Sequence, residues 1–225
     1  TNKTDTLHPP IQEIPLTPDP SLQQLGQHTL PHAPLTILEL YGGTATGLEA
    51  LLKAGHHIKT YAWADTDPDA YTSLQHRITQ MQEKYPGQLP PSATAHWNTS
   101  LALDITHITP TDLKSNFPTC IDIIIANLPT YPPSTQKHTP KIRPQELALK
   151  HIIRLIHFLY TSQPRHIGYI LANTPSPNNH PSIQKELVPA ITLDGPPCGS
   201  GAFRETILCQ NLAPNDNLQN SFNQL

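Results

Sequence analysis

From residue 35 onward, short runs rich in isoleucine and leucine alternate with longer amphipathic stretches, and this alternation constrains the fold more than any other feature. The apolar runs predict strands at 36–40, 58–65, 120–126, 166–173, 190–194 and 205–211, with a further strand near 93–97. The amphipathic stretches predict helices at 48–55, 67–85 and 144–162. Strands that alternate with helices predict a doubly wound, mostly parallel sheet, which binds its ligand beyond the carboxyl ends of the strands.

The first 34 residues differ from the rest of the chain. Residues 1–34 are rich in proline and lack periodicity, which predicts an extended linker or a strap along the surface. A chain of 225 residues is long enough for one sizeable core and too short for two large domains. We therefore expect one α/β domain at 35–225, preceded by an extension at 1–34.

Charge and cysteine usage limit the partners and the compartment. The net charge of −3 provides no global basic field, so any contact with DNA would be weak and would depend on a local patch. The basic segment 137–143 could form such a patch, but cations in a loop are more often simply solvated. Cys120, Cys198 and Cys209 are odd in number and share no Cys-x-x-Cys spacing, which favours free thiols in a reducing, intracellular compartment, the nucleus if the source is eukaryotic. We expect no metal site and no membrane span. The sequence does not predict an oligomeric state.

The segment "ELYGGTATG" is the clearest functional signal in the chain. A glycine turn between a first strand and a helix lets the backbone approach a ligand closely and points helix N–H groups toward it. Asp65 follows about 22 residues beyond the glycine pair, at the end of the second predicted strand, where a carboxylate can accept both hydroxyls of a ribose. The two features together predict a nucleoside cofactor. The alternative is an ordinary turn and a solvated acid.

The segment "LELYGGTATGLEALLKAGHHIKTYAWADTDPDA" resembles the first motifs of the C5-cytosine DNA methyltransferases, particularly the animal de novo type. Later segments match in the order of that family. "DIIIANLPT" matches the catalytic Pro-Cys strand and loop, "GYILANTP" the Glu-Asn-Val strand, and "GSGAFRETILCQNLAP" the arginine motif with a terminal segment seen in some mobile-element members. The resemblance implies a Rossmann-like sheet of the S-adenosylmethionine-dependent methyltransferase type, with S-adenosylmethionine as the cofactor.

The resemblance also implies which residues would face that cofactor. The methionine part would be lined by Tyr41, Gly42, Gly43, Thr44, Ala45, Thr46 and Gly47. Asp65 would hold the ribose, and Thr66 follows it where an apolar residue often packs on adenine. Asp104 and Ile105 would lie beside the adenine, and Asn127 would face the cofactor from the end of its strand.

The family's catalytic positions carry other residues in this chain. Methylation at cytosine C5 needs a thiolate that adds to C6 and a carboxyl group that protonates N3. Thr130 stands where the family has cysteine, and Ala172, before Asn173, stands where it has glutamate, whereas Arg204 of the arginine motif is present. A threonine hydroxyl has almost no ionised fraction near neutrality. We therefore expect a catalytically degenerate member, a pseudoenzyme that also lacks the family's separate target-recognition domain.

Three alternatives remain open. Cys198 of "LDGPPCGSG" mimics a nucleophile loop. It follows the "ILAN" strand, however, so that in the family order it falls near the arginine motif, and a loop or buried thiol is the simpler interpretation. "ANLPTY" nearly matches the Asn-Leu-Pro-Tyr loop of adenine-N6 methyltransferases acting on ribosomal RNA, in which Asn127 would accept the amine hydrogens and Tyr131 would stack on a flipped base. Thr130 inserts one residue into that pattern. The third alternative is a non-enzymatic scaffold or remnant.

Overall fold

The computed structural model describes residues 25, 27–65, 67–93, 105–117, 120–128, 144–173, 190–193 and 206–212. The strands are β1 (Leu35–Leu40), β2 (Ile58–Ala64), β3 (Ile123–Asn127), β4 (Gly168–Asn173), β5 (Ala190–Leu193) and β6 (Thr206–Gln210). The helices are α1 (Thr46–Lys53), α2 (Pro68–Lys84), α3 (Pro110–Asn116) and α4 (Pro144–Ser162). Short 3-10 turns occupy Pro91–Ala93 and Ile105–His107. Residues 94–97, where we expected a further strand, lie outside the described residues.

The described strands form one sheet in the order β2-β1-β3-β4-β6-β5. Strands β2, β1, β3 and β4 are parallel, whereas β6 runs antiparallel to both β4 and β5. The chain leaves β1 for β2 on one side and reaches β3 on the other side, so the strand order reverses at β1. The predicted Rossmann-like, doubly wound and mostly parallel sheet is confirmed, and its switch point lies at the carboxyl end of β1.

Helices cover both faces of the sheet, as the alternation of side chains along β1 requires. Ile37 belongs to a buried cluster with residues of α1 and α2, such as Leu48 and Leu74. Leu38 and Leu40 belong to a second cluster with residues of α3 and α4. The protein therefore has three layers, and β1 lies in the middle of them, buried along its whole length.

Two helices begin at caps that stabilise their first turn. Asp67 precedes α2, and its carboxylate accepts a hydrogen bond from the backbone N–H of Asp69 at 2.9 Å. Thr109 and Asp112 form a reciprocal capping box before α3, which satisfies two N–H groups. Helix α3 was not predicted, because its 7 residues bury only Leu113 and give no readable period. The described helices do not include one that is long and apolar enough to cross a membrane.

Part of the predicted 1–34 extension contacts the domain. Leu25 is buried in the cluster beneath α4. The backbone N–H of His28 donates to the carbonyl oxygen of Asn211 at 2.7 Å, and His28 forms a parallel bridge with Leu212. These contacts attach the chain before β1 to the segment after β6.

The side chain of Glu49 on α1 is 9% exposed, and its carboxylate pairs with three cations. Arg77 of α2 donates to it directly, whereas the Nζ atoms of Lys84 and Lys53 lie 3.5 and 4.0 Å away. We expect Arg77→Ala to lower the free energy of unfolding by about 1 to 2 kcal/mol, because it removes the direct partner of a buried charge. Urea titration measures this loss.

The matched control for Arg77→Ala is Lys84→Ala. Its side chain is 59% exposed, so that solvent screens its attraction to Glu49 and the loss should be clearly smaller. Equal losses in the two variants would contradict the assignment of Arg77 as the main partner.

Candidate functional site

Residues 41–47, which we call the glycine turn, leave the carboxyl end of β1 at the switch point of the sheet. Tyr41, Gly43 and Ala45 have positive φ angles of 53°, 50° and 60°. Only glycine adopts this left-handed region without a steric cost, and for other residues it costs roughly 1 to 2 kcal/mol. The turn is therefore strained at Tyr41 and Ala45, and the surrounding contacts must hold it.

Asp65 follows β2 and holds the glycine turn at Gly43. One carboxylate oxygen accepts a hydrogen bond from the N–H of Gly43 at 2.8 Å, and the other accepts from the N–H of Asp67 at 3.0 Å. Each carboxylate oxygen has a second lone pair that can accept from a ligand. Asp65 is half-buried, and a Cβ on Gly43 would meet no atom of the described residues within 4 Å. The arrangement can thus hold a ligand with two adjacent hydroxyl groups.

Glu39 of β1 lies beneath the turn and is 3% exposed. Its carboxylate accepts hydrogen bonds from the N–H groups of Gly47 at 3.0 Å and Leu48 at 3.3 Å, and from the hydroxyl of Tyr61 at 3.0 Å. Burial raises the pKa of Glu39 to about 7, although these three hydrogen bonds lower it. Sequence reasoning missed this residue, and the only signal was one acid inside an apolar strand.

The same bonds determine where the first N–H groups of α1 point. The N–H groups of Gly47 and Leu48 donate to Glu39, inside the protein. The expectation that the helix start presents its N–H groups to a ligand is therefore wrong for these two. In contrast, the N–H of Gly43 points toward Asp65 and donates to its carboxylate.

Two glycines of the turn allow close packing that a side chain would prevent. A Cβ at Gly42 would lie 2.5 Å from Cδ1 of Trp63, and one at Gly47 would lie 2.7 Å from Cγ2 of Ile125. Trp63 is buried, and its Nε1 has no hydrogen-bond partner among the described atoms. Trp63 thus packs against the turn.

Burial separates the seven predicted lining residues of the turn into two groups. Buried residues are Tyr41, Gly42, Ala45 and Gly47. Gly43 is half-buried, and Thr44 and Thr46 are exposed. The surface that the turn offers to a ligand therefore comes from the second group.

On the predicted adenine side, the structure describes Ile105 alone. Ile105 is fully buried in a 3-10 turn and belongs to the cluster beneath α3 and α4. Thr66 and Asp104 lie outside the described residues. Their predicted roles remain predictions.

The ends of β3 and β4 bring two predicted catalytic positions together. Asn127 closes β3 as its exposed residue and is paired in register with Ala172 of β4. The N–H of Leu128 donates to the carbonyl oxygen of Ala172 at 2.9 Å. A half-buried methyl group thus stands at the position where we predicted that the acid is missing.

The remaining predicted catalytic residues cannot be placed beside this pair. Thr130, Tyr131, Arg204 and Cys198 lie outside the described residues, and Asn173 is described through its backbone alone. Cys120 is a half-buried free thiol. Within the described part of the chain, no cluster of three or more histidine, cysteine, aspartate or glutamate residues could hold a metal ion.

Fold and site together define a Rossmann-like α/β protein with a strained glycine turn at its switch point. No protein-family model matches the chain, and no curated protein is similar to it in sequence. Solved structures with a similar fold include a DNMT2 mutant of Spodoptera frugiperda, at 18% identity and a TM-score of 0.45 over 77% of this chain and 49% of that chain. The S. pombe Dnmt2 methyltransferase has 16% identity and a TM-score of 0.45, over 80% of this chain and 52% of that one.

A third similar structure is an rRNA methylase from Streptococcus thermophilus, with 14% identity and a TM-score of 0.44, over 81% of this chain and 90% of that chain. The chain spans about half the length of the two Dnmt2 structures.

Proposed function

We propose that the chain is a degenerate relative of the C5-cytosine DNA methyltransferases that binds S-adenosylmethionine and no longer performs C5 methylation. The observation that carries the cofactor proposal is the hydrogen bond from the N–H of Gly43 to Asp65 at the switch point, at 2.8 Å. It joins the turn after β1 to the acid after β2, which are the two features that a nucleoside ligand needs at this edge.

The described residues fit the adenosyl part of such a cofactor. Both oxygens of Asp65 are held by backbone N–H groups, so that the carboxylate is preorganised to accept the two ribose hydroxyls. A Cβ on Gly43 would meet none of the described atoms within 4 Å, and the hydroxyls of Thr44 and Thr46 belong to exposed residues of the same turn. When bound, S-adenosylmethionine would supply an electrophilic methyl group.

The change Asp65→Asn tests this cofactor site. The amide removes the negative charge and one acceptor, so we expect binding of S-adenosylhomocysteine to weaken about 10- to 100-fold, as for the loss of one charge-assisted hydrogen bond. Isothermal titration calorimetry on the full chain measures the dissociation constant.

Asp69→Asn is the matched control for that experiment. It makes the same change of charge on the exposed first turn of α2, and we expect it to leave the affinity within about twofold. If both variants weaken binding equally, Asp65 has no direct contact with the ligand and the proposed site is wrong.

The proposed loss of C5 chemistry depends on two positions. Ala172, beside Asn127 at the sheet edge, has no proton to give to cytosine N3. Thr130, by its position in the sequence, offers a hydroxyl where the covalent route needs a thiolate. Because the route requires both groups, we propose that the rate of C5 methylation is negligible, even with Arg204 present.

DNA that contains 5-fluorocytosine tests the proposed inactivity. An active C5 enzyme forms a covalent adduct with this base, because fluorine cannot leave as a proton does. We expect no adduct on a denaturing gel after incubation with S-adenosylmethionine. An adduct that disappears in Cys198→Ser would show that Cys198 is a repositioned nucleophile.

An amino-directed methyltransferase is the second candidate, because Asn127 is the exposed residue at the carboxyl end of β3. In this reaction the amide of Asn127 would accept hydrogen bonds from an exocyclic amine, with Tyr131 as the stacking partner. Transfer of a labelled methyl group to adenine in RNA or DNA, lost in Asn127→Ala, would support it. Absence of transfer to both nucleic acids would leave a cofactor-binding scaffold.

A further inference from the structure

Glu39 connects three parts of the proposed site. Its side chain leaves β1, accepts the hydroxyl hydrogen of Tyr61 on β2, and accepts the N–H groups of Gly47 and Leu48 at the start of α1. Through these bonds the carboxylate defines where the glycine turn ends. The turn contains two strained residues, Tyr41 and Ala45, so that its shape depends on such external contacts.

The groups that face Glu39 leave its charge without a cationic partner among the described residues. On β2, Tyr61 has a pKa raised well above its usual value by burial and by Glu39, so it stays neutral, and the negative charge of Asp65 further favours a protonated Glu39. On α1, Glu49 pairs with Arg77. Ile125 of β3 is apolar. Only neutral donors therefore stabilise the ionised form of Glu39.

Protonation would change these bonds because a carboxylic acid must donate its hydrogen. The partners of Glu39 are two backbone N–H groups and one hydroxyl, and only the oxygen of Tyr61 can accept. The hydrogen bonds to the start of α1 would lose their charge assistance, which is worth about half of their strength. The end of the glycine turn would then be held less firmly.

We infer that Glu39 is a proton-controlled positioning residue, which holds the glycine turn in its binding shape when ionised and releases it when protonated. The inference rests on the proposed cofactor site and adds a regulation to it. A ligand that requires the ionised form binds less tightly as the pH falls, and its binding releases a proton.

The experiment compares binding of S-adenosylhomocysteine at pH 6 and pH 8 by calorimetry, with the wild type and Glu39→Gln. The amino group of the ligand also titrates near this range, but its effect is the same for both proteins. Relative to Glu39→Gln, we expect wild-type affinity to fall about tenfold from pH 8 to pH 6. A purely structural role of Glu39 would give no such difference in pH dependence.

Two further outcomes decide against the inference in different ways. Equal pH profiles for the two proteins overturn the switch and leave the cofactor site intact. No binding by either protein at millimolar ligand and either pH overturns the proposed function, and with it the switch.

A second variant keeps the inference testable if Glu39→Gln fails to fold. Tyr61→Phe removes a hydrogen bond that lowers the pKa of Glu39, so we expect the pH midpoint of binding to move upward. Carbon-13 NMR of the glutamate carboxyl groups in the wild type follows the titration directly. A Glu39 midpoint near the ordinary glutamate pKa of 4.5 would overturn the switch.

Discussion

Replacing Gly42 with alanine is expected to lower the free energy of unfolding by about 1 to 3 kcal/mol, the usual cost of overpacking a filled core. The new Cβ would lie 2.5 Å from Cδ1 and 2.6 Å from Nε1 of Trp63, and 3.0 Å from Cγ of Glu39. The indole is buried between the turn and α2 and cannot swing aside without moving its neighbours. The turn would shift instead, and we expect binding of S-adenosylhomocysteine to weaken with it.

Gly87→Ala is the control for this substitution. A Cβ at Gly87 would meet no atom within 4 Å in the part of the chain that the structure describes, so its effect should stay within about 0.5 kcal/mol. Urea titration of both variants measures the difference. If Gly42→Ala proves as stable as Gly87→Ala, the close approach of the turn to Trp63 is wrong.

The second large effect is a pH dependence of stability that comes from Glu39. Its pKa rises from the ordinary 4.5 to about 7 in the folded protein, so the folded state binds this proton more tightly than the unfolded state. The stabilisation is therefore complete below pH 4.5 and is lost as the pH rises toward 7. Compared with Glu39→Gln, we expect the wild type to lose about 3 kcal/mol across this interval.

Chemical unfolding of both proteins at several pH values between 4.5 and 8 measures this difference. Asp112, whose pKa is lowered by its hydrogen bonds to Thr109, acts in the opposite direction, but it is present in both proteins and cancels. A difference between wild type and Glu39→Gln that does not change with pH would mean that Glu39 titrates as an ordinary glutamate.

The two effects of Glu39 have opposite signs, and this has a physical meaning. Ionising a carboxyl group that is buried without a cation destabilises the fold, yet the ionised form holds the start of α1 most firmly. A residue that lowers the stability of the fold and fixes a strained turn is typical of a functional site, where a protein is less stable because it holds a strained backbone geometry. This contrast separates a positioning role from simple core packing.

Local patterns in the sequence were sufficient to predict the fold class and to predict that the glycine turn and Asp65 lie at one edge of the sheet. Isoleucine and leucine runs gave the strands, and the alternation with helices gave the parallel order, because these signals need no distant contacts. The glycine turn and Asp65 were found together because a doubly wound sheet places the ends of neighbouring strands at one edge. Their hydrogen bond agrees with that reasoning.

What the sequence could not predict depends on contacts between distant residues. Glu39 contacts Tyr61 of the neighbouring strand and Leu48 beyond the glycine turn, and the sequence pattern shows only an acid within an apolar run. Leu25 is buried, although the proline-rich segment around it has no period. In each case tertiary packing decides the role of the residue.

The measurement that tests the central claim most directly is a titration of the nitrogen-15-labelled chain with S-adenosylhomocysteine, followed by two-dimensional NMR. Gly43 and Asp67 donate their N–H groups to Asp65, so their amide signals should report any ligand at that carboxylate. We predict saturable shifts of both signals and an unchanged signal for Gly87. Unchanged Gly43 and Asp67 signals at millimolar ligand would contradict the cofactor site.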